Sequence, residues 1–543
     1  MRVERGEIFS PLLIIRGGEM KKKVFICGMV FSCFIFIYLC IQLIFDDKDK
    51  LVIYVSGAHN IFFQNDDNRD VYSTPYSIGY FYSRGQIGFE NGNVLESAIK
   101  EYAKSNNLEV EIQYLSKPTE ENGITLLENS YNNSCMPDLI IASRAEQIDY
   151  TNLYENELLF DWSKYMEKDE GISYDSYYME VLQGGIINNE QVVIPLLFNL
   201  NGIISDKVYL AENEIDISKD LTYQEIVEIL QQSCISMMNN ERVAGIAETS
   251  GQMLFGQYIP SILLSSAYSS YYYNDGTTWN TNIESDVLEE IINTVSLYQR
   301  QDCAGILEWE SNSYEEIIQN PMLKSKALYL LDEHSAIERS GVFITGGRCG
   351  GQEVANSFLT DVIYFSNKYG KKVWIQGIPS ANSKDEYNAN ISLCAFSPVS
   401  TEHADEVYDL IRYLMDYEYG MCYGFSINRD ITYRQLQDAK NIGVEFYPDI
   451  WGAVEAGQID QNMLYKYKVQ LDPIGYEEIA IIYNMLDNIS GAGVSSCYIE
   501  YYLMEEVVKK LGSRELSEEG VAKWAMERII QYKDDFSSIK PFS

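Results

Sequence analysis

Pro137-Asp-Leu-Ile-Ile-Ala-Ser143 decides the reading of this chain. Four apolar or small residues stand between a Pro-Asp start and a serine, too few for a helix and without a polar alternate. That pattern suits a central strand covered on both faces, the habit of parallel sheets. Working outward, Val110 to Leu115 reads as a strand. Asn93 caps a helix whose apolar face is Leu95, Ala98, Ile99 and Tyr102. Leu51 to Gly57 is a strand ending in a glycine turn, and Thr125 to Tyr131 is a further helix. A β-α-β-α-β order implies a parallel sheet with right-handed crossovers, hence an α/β fold.

Downstream, Val192 to Phe198 reads as a strand running into Asn199-Leu-Asn-Gly-Ile-Ile-Ser-Asp-Lys207. Leu221 to Gln232 and Tyr258 to Ser266 read as helices, and Tyr271 to Tyr273 precede the turn Asn274-Asp-Gly276. Ser285 caps a helix with Leu288, Ile291, Ile292, Val295 and Tyr298 on one face. Strands follow at Lys326 to Leu331, Lys371 to Gly377 and Ile391 to Phe396, with a flexible glycine loop at Gly346 to Gly351. Ser400 is expected to cap a helix with Ala404, Val407, Ile411 and Leu414 on one face. Ser517 caps the last helix, which buries Val521, Trp524, Ala525 and Ile529.

Residues 24–45 contain no charge and no proline. At about 1.5 Å per residue they span roughly 33 Å, the thickness of a hydrocarbon core. Lys21, Lys22 and Lys23 precede the run and Asp46 and Asp47 follow it, which keeps the N-terminus inside and the rest outside. A cleaved signal peptide is the rival reading, but its apolar region is shorter and ends in small residues. The expectation is a transmembrane signal anchor after a cytoplasmic leader, 1–23, with the bulk of the chain extracellular on a single-pass membrane protein. Arg16-Gly-Gly-Glu19 before Met20 reads like a purine-rich ribosome-binding site taken as codons, so residues 1–19 are expected to be untranslated.

Removing the six basic and three acidic residues of positions 1–45 from the 41 and 80 of the chain leaves 35 and 77, a net charge of −42. Such a surface disfavours nucleic acid, whose binding rests on neutralising phosphates. It equally disfavours an anionic bilayer surface. Seven of the ten cysteines lie beyond the anchor, an odd number without a Cys-x-x-Cys, which is neither a disulfide scaffold nor a zinc site. A calcium loop from Asp66 within the polar stretch 58–90 lacks glycine at its sixth position and has Ser77 where glutamate is needed. That stretch reads as an insertion loop. Three histidines, no His-Glu-x-x-His, no phosphate-binding loop and no Gly-x-Ser-x-Gly leave no catalytic motif; Gly424-Phe-Ser-Ile-Asn428 is the nearest approach. No cofactor and no metal are implied.

The order of these elements resembles the extracellular solute-binding proteins of bacterial ABC importers, the large group that includes sugar-binding members. The resemblance runs over residues 88–535. It is carried by Pro137-Asp138, by Ile194-Pro195 leading to Ser205-Asp-Lys-Val-Tyr-Leu210, and by Tyr273-Asn-Asp-Gly-Thr-Thr-Trp279. Lys326-Ala-Leu-Tyr, Gly377-Ile-Pro379, the Ala404 to Leu414 helix and Leu516-Ser-Glu-Glu-Gly520 continue it. It implies a two-lobed periplasmic-binding-protein-like α/β fold with a hinge and an interlobe cleft, preceded here by one transmembrane helix. Crossings are expected near Leu197-Phe198, Ile378-Pro379 and Asp416-Tyr417. Lobe 1 is then 51–197 plus 378–416, and lobe 2 is 198–377 plus 417–543. Val30-Phe31-Ser32-Cys33 departs from the family's usual acylation box.

The resemblance implies a membrane-tethered receptor, not an enzyme, that captures a small solute, a carbohydrate, and passes it to ABC permease subunits. A sensor or accessory binding subunit and an extracellular glycan-acting enzyme are the alternatives; neighbouring permease genes, a neighbouring sensor kinase or hydrolysis of oligosaccharide would separate the three. Ligands in open α/β sheets meet the carboxyl ends of strands. Ser143 and Arg144 end the Pro137 strand and are expected to face the cleft. The resemblance adds Asn199 at the crossing, Asp332 and His334 after the 326–331 strand, and Tyr476 at the start of a late helix. Each has a plainer reading: Arg144 as a surface ion pair, Asn199 as a backbone cap, His334 as a surface or core imidazole, Tyr476 as packing.

Overall fold

The computed structural model describes residues 50–56, 81–82, 94–115, 137–143, 148–239, 259–299, 342–345, 358–401, 403–419, 424–441, 444–446, 469–494, 498–513 and 515–536. The anchor at 24–45, nearly all of the 58–90 insertion, the 125–131 helix, the 326–331 strand and the 346–351 loop lie outside them. Among the described residues no helix is long and apolar enough to cross a membrane.

The strands used below are β1 (Lys50–Ser56), β2 (Glu109–Leu115), β3 (Leu139–Ser143), β4 (Ile194–Leu200), β5 (Gly202–Asp206), β6 (Val342–Thr345), β7 (Val373–Gly377), β8 (Tyr387–Phe396), β9 (Phe425–Ser426) and β10 (Ile489–Gly493). The helices are α1 (Val94–Asn106), α2 (Tyr150–Glu155), α3 (Tyr223–Asn239), α4 (Ile259–Ala267), α5 (Ser285–Gln299), α6 (Ala404–Met415), α7 (Arg429–Asn441), α8 (Tyr476–Asp487) and α9 (Glu518–Phe536).

The large sheet runs β9-β4-β8-β3-β1-β2, with β10 alongside β8. β1 pairs in parallel with both β2 and β3, as the β-α-β-α-β order requires. β8 runs against β3 and β4, so the complete sheet is mixed. All five residues of β3 are buried. The Asp138 carboxylate accepts the Val52 N–H at 2.9 Å, and the Asp138 N–H donates to the Val52 carbonyl at 2.8 Å. The Pro-Asp start of β3 thus pins its register on β1. In α1, Leu95, Ala98, Ile99 and Tyr102 are all buried, the stripe read from the sequence. Asn107, in the left-handed region at φ 54°, ends that helix, and the Leu108 N–H reaches back to the Ala103 carbonyl at 2.9 Å.

A smaller antiparallel sheet has the order β6-β5-β7. The chain passes to it from the large sheet through Asn201, between β4 and β5, and returns between Gly377 and Tyr387. The Ile378 N–H donates to the Asn201 carbonyl at 2.9 Å, so outgoing and returning segments lie side by side. Past Asp416-Tyr417, where the sequence suggests a third crossing, Phe425 and Ser426 pair with Phe198 and Leu197 in the large sheet. α5, packed against α3, α4 and α9, buries Leu288, Ile291, Ile292 and Val295, and α9 buries Val521, Ala525 and Ile529. Each such valine, leucine or isoleucine side chain contributes about 1.5–3 kcal/mol on burial. The Ser517 hydroxyl accepts the Gly520 N–H at 3.1 Å and caps α9 as expected.

Two local expectations are corrected. α6 starts at Ala404 after His403, which makes no side-chain cap bond; Ser400 stands too far upstream, in a turn closed by the Thr401 N–H on the Pro398 carbonyl. β8 starts at Tyr387 rather than Ile391, because the polar residues Asn388 and Asn390 are strand residues with a polar function.

Candidate functional site

β4 ends Phe198-Asn199-Leu200, and β8 opens Tyr387-Asn388-Ala389-Asn390-Ile391-Ser392. Side chains alternate faces along a strand, and Asn199 stands opposite Asn390 in the register, so the polar members share a face. Asn199, Asn201, Asn388 and Asn390 are all buried. The result is a polar seam through an apolar sheet at the place where the chain leaves for the small sheet and comes back.

One half of the seam is saturated. The Asn201 amide nitrogen lies 2.6 Å from the Ser266 hydroxyl, 3.1 Å from the Ser265 hydroxyl and 3.3 Å from the Ile262 carbonyl, all on α4. Its oxygen accepts the Asn390 amide at 2.6 Å, and the Asn388 amide donates to the Ser266 carbonyl at 2.7 Å. Every strong donor here has an acceptor, so this half is built to hold position.

The other half is unsaturated. Asn199 is 1% exposed, yet neither its amide nitrogen nor its oxygen has a partner. The Ser392 hydroxyl is also without one, as is the Gln435 side-chain oxygen. Ser392 sits where the β8 register slips against β4, between Ile391 and Leu393. The slip is recovered between Leu393 and Cys394, next to Pro195, whose missing N–H a central strand tolerates only at such an irregularity. Gly424, at φ 120°, closes the group. A Cβ there would lie 2.7 Å from the Phe198 carbonyl oxygen and 3.2 Å from both the Asn199 Oδ1 and the Ser392 Oγ. The glycine lets three elements meet where any side chain would intrude.

Ser143, at the carboxyl end of β3, is buried with its hydroxyl unpartnered, and pairs with Leu393 of β8. The structure therefore brings two of the residues singled out in the sequence, Ser143 and Asn199, to the two flanks of β8. They lie three residues apart in its register. Tyr476 stands elsewhere: it is 76% exposed at the start of α8, with the Lys440 Nζ 4.1 Å from its ring centroid. Arg144, Asp332 and His334 lie outside the described residues. Sequence reasoning passed over Asn201, Asn388, Asn390, Ser392, Gly424 and Gln435. The signal was present as Asn199-x-Asn201 and Asn388-x-Asn390-x-Ser392, polar residues two apart inside strands.

The donors and acceptors of the seam are amides and hydroxyls, all neutral. Tyr387 borders it, and burial raises its hydroxyl pKa above the usual phenol value, which keeps that group neutral too. Among the described residues no cluster of three or more His, Cys, Asp or Glu could hold a metal ion. The seam can hydrogen-bond an uncharged polar group in a setting from which water is excluded.

No family model matches the sequence, and no curated protein matches it. Among solved structures, the chain is similar to an ABC substrate-binding protein from Listeria monocytogenes in complex with cycloalternan. The identity is 10%, with 89% of this chain and 99% of that one covered, at a TM-score of 0.46. It is also similar to the galacto-N-biose-/lacto-N-biose I-binding protein of a Bifidobacterium longum ABC transporter, in complex with lacto-N-biose (11%, 90% and 98%, TM-score 0.48). A third is a B. animalis subsp. lactis ABC-transporter-associated binding protein in complex with beta-1,6-galactobiose (11%, 90% and 98%, TM-score 0.47). These are proteins of the kind that the sequence resembles. Likeness at this level does not bear on what this chain binds, and the reading below rests on the seam.

Proposed function

We propose that this chain is an extracellular binding protein that captures a neutral polyhydroxylated solute, a carbohydrate, and delivers it to the permease subunits of an ABC importer. The observation that carries the reading is the unpartnered Asn199 amide, with the Ser392 and Ser143 hydroxyls, at the carboxyl ends of β4 and β3. A buried polar group left unpaired costs about 1–3 kcal/mol. Retaining several in one place is reasonable where a ligand completes them, and strand carboxyl ends are where open α/β sheets meet ligands. An uncharged set of donors and acceptors favours hydroxyl groups over carboxylates, phosphates or ammonium groups.

In this reading the large and small sheets are the cores of two lobes that close on the solute. The sequence reading sets lobe 1 at 51–197 plus 378–416 and lobe 2 at 198–377 plus 417–543; here we put the first crossing at Asn201, because β4 stays in the large sheet to Leu200, and the third beyond Ser426, because β9 pairs with β4. The uncharged run at 24–45 behind three lysines supports a single-pass anchor with the acidic bulk of the chain outside the cell. A thermal-shift screen of neutral oligosaccharides, amino acids and organic anions tests the function. A ligand at a hundred times its Kd adds about 2.7 kcal/mol to apparent stability. Stabilisation by neutral sugars is expected; stabilisation only by charged solutes would overturn the reading.

A further inference from the structure

A second junction between the two sides of the molecule lies away from the seam. α2 belongs to the large sheet: Leu153 is buried, and the Tyr150 ring meets Phe396 of β8 edge-on at 5.3 Å. α9 belongs to the small-sheet side through a relay of side chains. Gln376 of β7 donates to the Leu221 carbonyl ahead of α3 at 2.9 Å, and Gln231 of α3 donates to the Thr294 hydroxyl of α5 at 3.1 Å. Ser296 of α5 then donates to Glu518 of α9 at 2.7 Å. The hairpin Tyr272–Asn274/Trp279–Thr281 moves with α9, because the Tyr272 hydroxyl donates to the Ile529 carbonyl at 3.2 Å.

These two bodies touch at both ends of α2. At its start, the Asp149 carboxylate is 3% exposed; one oxygen accepts the Asn152 N–H at 3.0 Å and the other the Tyr532 hydroxyl of α9 at 2.5 Å. At its end, the Trp279 indole N–H of the hairpin donates to the Glu155 carboxylate. Acceptors on one side and donors on the other thus meet a helical turn and a half apart. Both acceptors are carboxylates, which water solvates readily on parting, so the junction can open as well as close.

We propose that Asp149–Tyr532 and Glu155–Trp279 form a closing latch that holds the two lobes together in the empty protein. The proposal rests on the two-lobed reading and is independent of which solute binds. By raising the fraction of molecules already closed, the latch raises the apparent affinity for any ligand that needs the closed form.

The test needs no ligand. Nitroxide amino acids introduced by codon reassignment at the exposed Lys164 and Lys523 report the separation of the two sides in the full-length chain by pulsed electron resonance. In Tyr532→Phe/Trp279→Phe, which removes both donors and keeps an aromatic ring at each position, the distance distribution is expected to shift to longer values and broaden. Glu155→Gln, which keeps an oxygen acceptor for the indole, is expected to retain the short distance of the unaltered protein. An unchanged distribution in the double variant, with a native circular dichroism spectrum, overturns the latch. So does an equal lengthening in Glu155→Gln. Because no solute is added, either result leaves the identity of the ligand to the thermal-shift screen.

Discussion

The Asn390 amide donates to the Asn201 side-chain oxygen at 2.6 Å, and the same Asn201 reaches two serines of α4. The strand that leaves the large sheet and the strand that returns are therefore pinned to one helix. A neutral buried hydrogen bond contributes about 1 kcal/mol, and an orphaned partner costs about 1–3 kcal/mol. Asn201→Ala orphans Asn390, so a loss on the order of 3 kcal/mol is expected from denaturant midpoints. A double-mutant cycle with Asn390→Ala should show a coupling of about 0.5–3 kcal/mol. Strictly additive losses would mean that the two amides do not interact.

Gly424 is expected to tolerate no side chain. Its φ of 120° is disfavoured for other residues, and a Cβ would stand 2.7 Å from the Phe198 carbonyl oxygen. Strained backbone of this kind costs about 1–3 kcal/mol before any clash is counted. Gly424→Ala should lower the melting temperature and weaken solute binding together, since Asn199 and Ser392 are its nearest side chains. Wild-type stability in that variant would show that the chain turns differently here.

Asp149 should give stability a pH dependence of unusual sign. Burial raises its pKa from 3.8, opposed by hydrogen bonds from Tyr532 and from the backbone of Asn152 and Thr151. The native state therefore holds the proton more tightly than the unfolded chain. Ionisation costs native stability as pH rises through the raised value, and the cost is absent below 3.8. Asp149→Asn keeps one oxygen for the Asn152 N–H, an equally good helix cap, and turns its amide N–H toward the Tyr532 oxygen, without the charge. Thermal melts across about pH 4 to 8 should show the variant gaining on the wild type as pH rises. A variant that instead loses ground to the wild type as pH rises would contradict the assignment.

Much of the fold was legible because it follows from burial with a period. Leu95, Ala98, Ile99 and Tyr102, or Leu288, Ile291, Ile292 and Val295, announce helices by spacing alone, and all eight are buried. The polar seam was not legible, for the same reason inverted. Asn388 and Asn390 look like loop residues ahead of Ile391, because a strand that buries polar groups lacks the apolar alternation that marks strands. The two-residue β9 carries no periodic signal at all, and only its pairing with β4 reveals that the chain is still on the large sheet after Tyr417. Ser143 could be singled out from its place at a strand end and Asn199 from the resemblance, at the crossing; the Ser392 bulge and the Gly424 approach depend on contacts far apart in sequence.

Asn199 offers the most discriminating experiment, because stability and binding should respond in opposite ways. Its amide is buried and has no partner on either atom, so the folded protein gains nothing from its polarity and bears its desolvation. Asn199→Leu replaces it with an apolar side chain of similar size. Exchanging an unsatisfied polar group for such a side chain is close to neutral or stabilising, so the denaturation midpoint should hold or rise. In the complex the same amide would donate to and accept from the solute, two hydrogen bonds of about 1 kcal/mol each. Their loss should weaken binding about tenfold or more, since each 1.4 kcal/mol is a factor of ten. Calorimetry with the best neutral sugar from the screen measures the second effect, and Ser392→Ala should show the same pattern at smaller size. A folded, stable Asn199→Leu protein with undiminished affinity would remove the seam from the binding site, while a destabilised one would mean that the amide is already satisfied without solute.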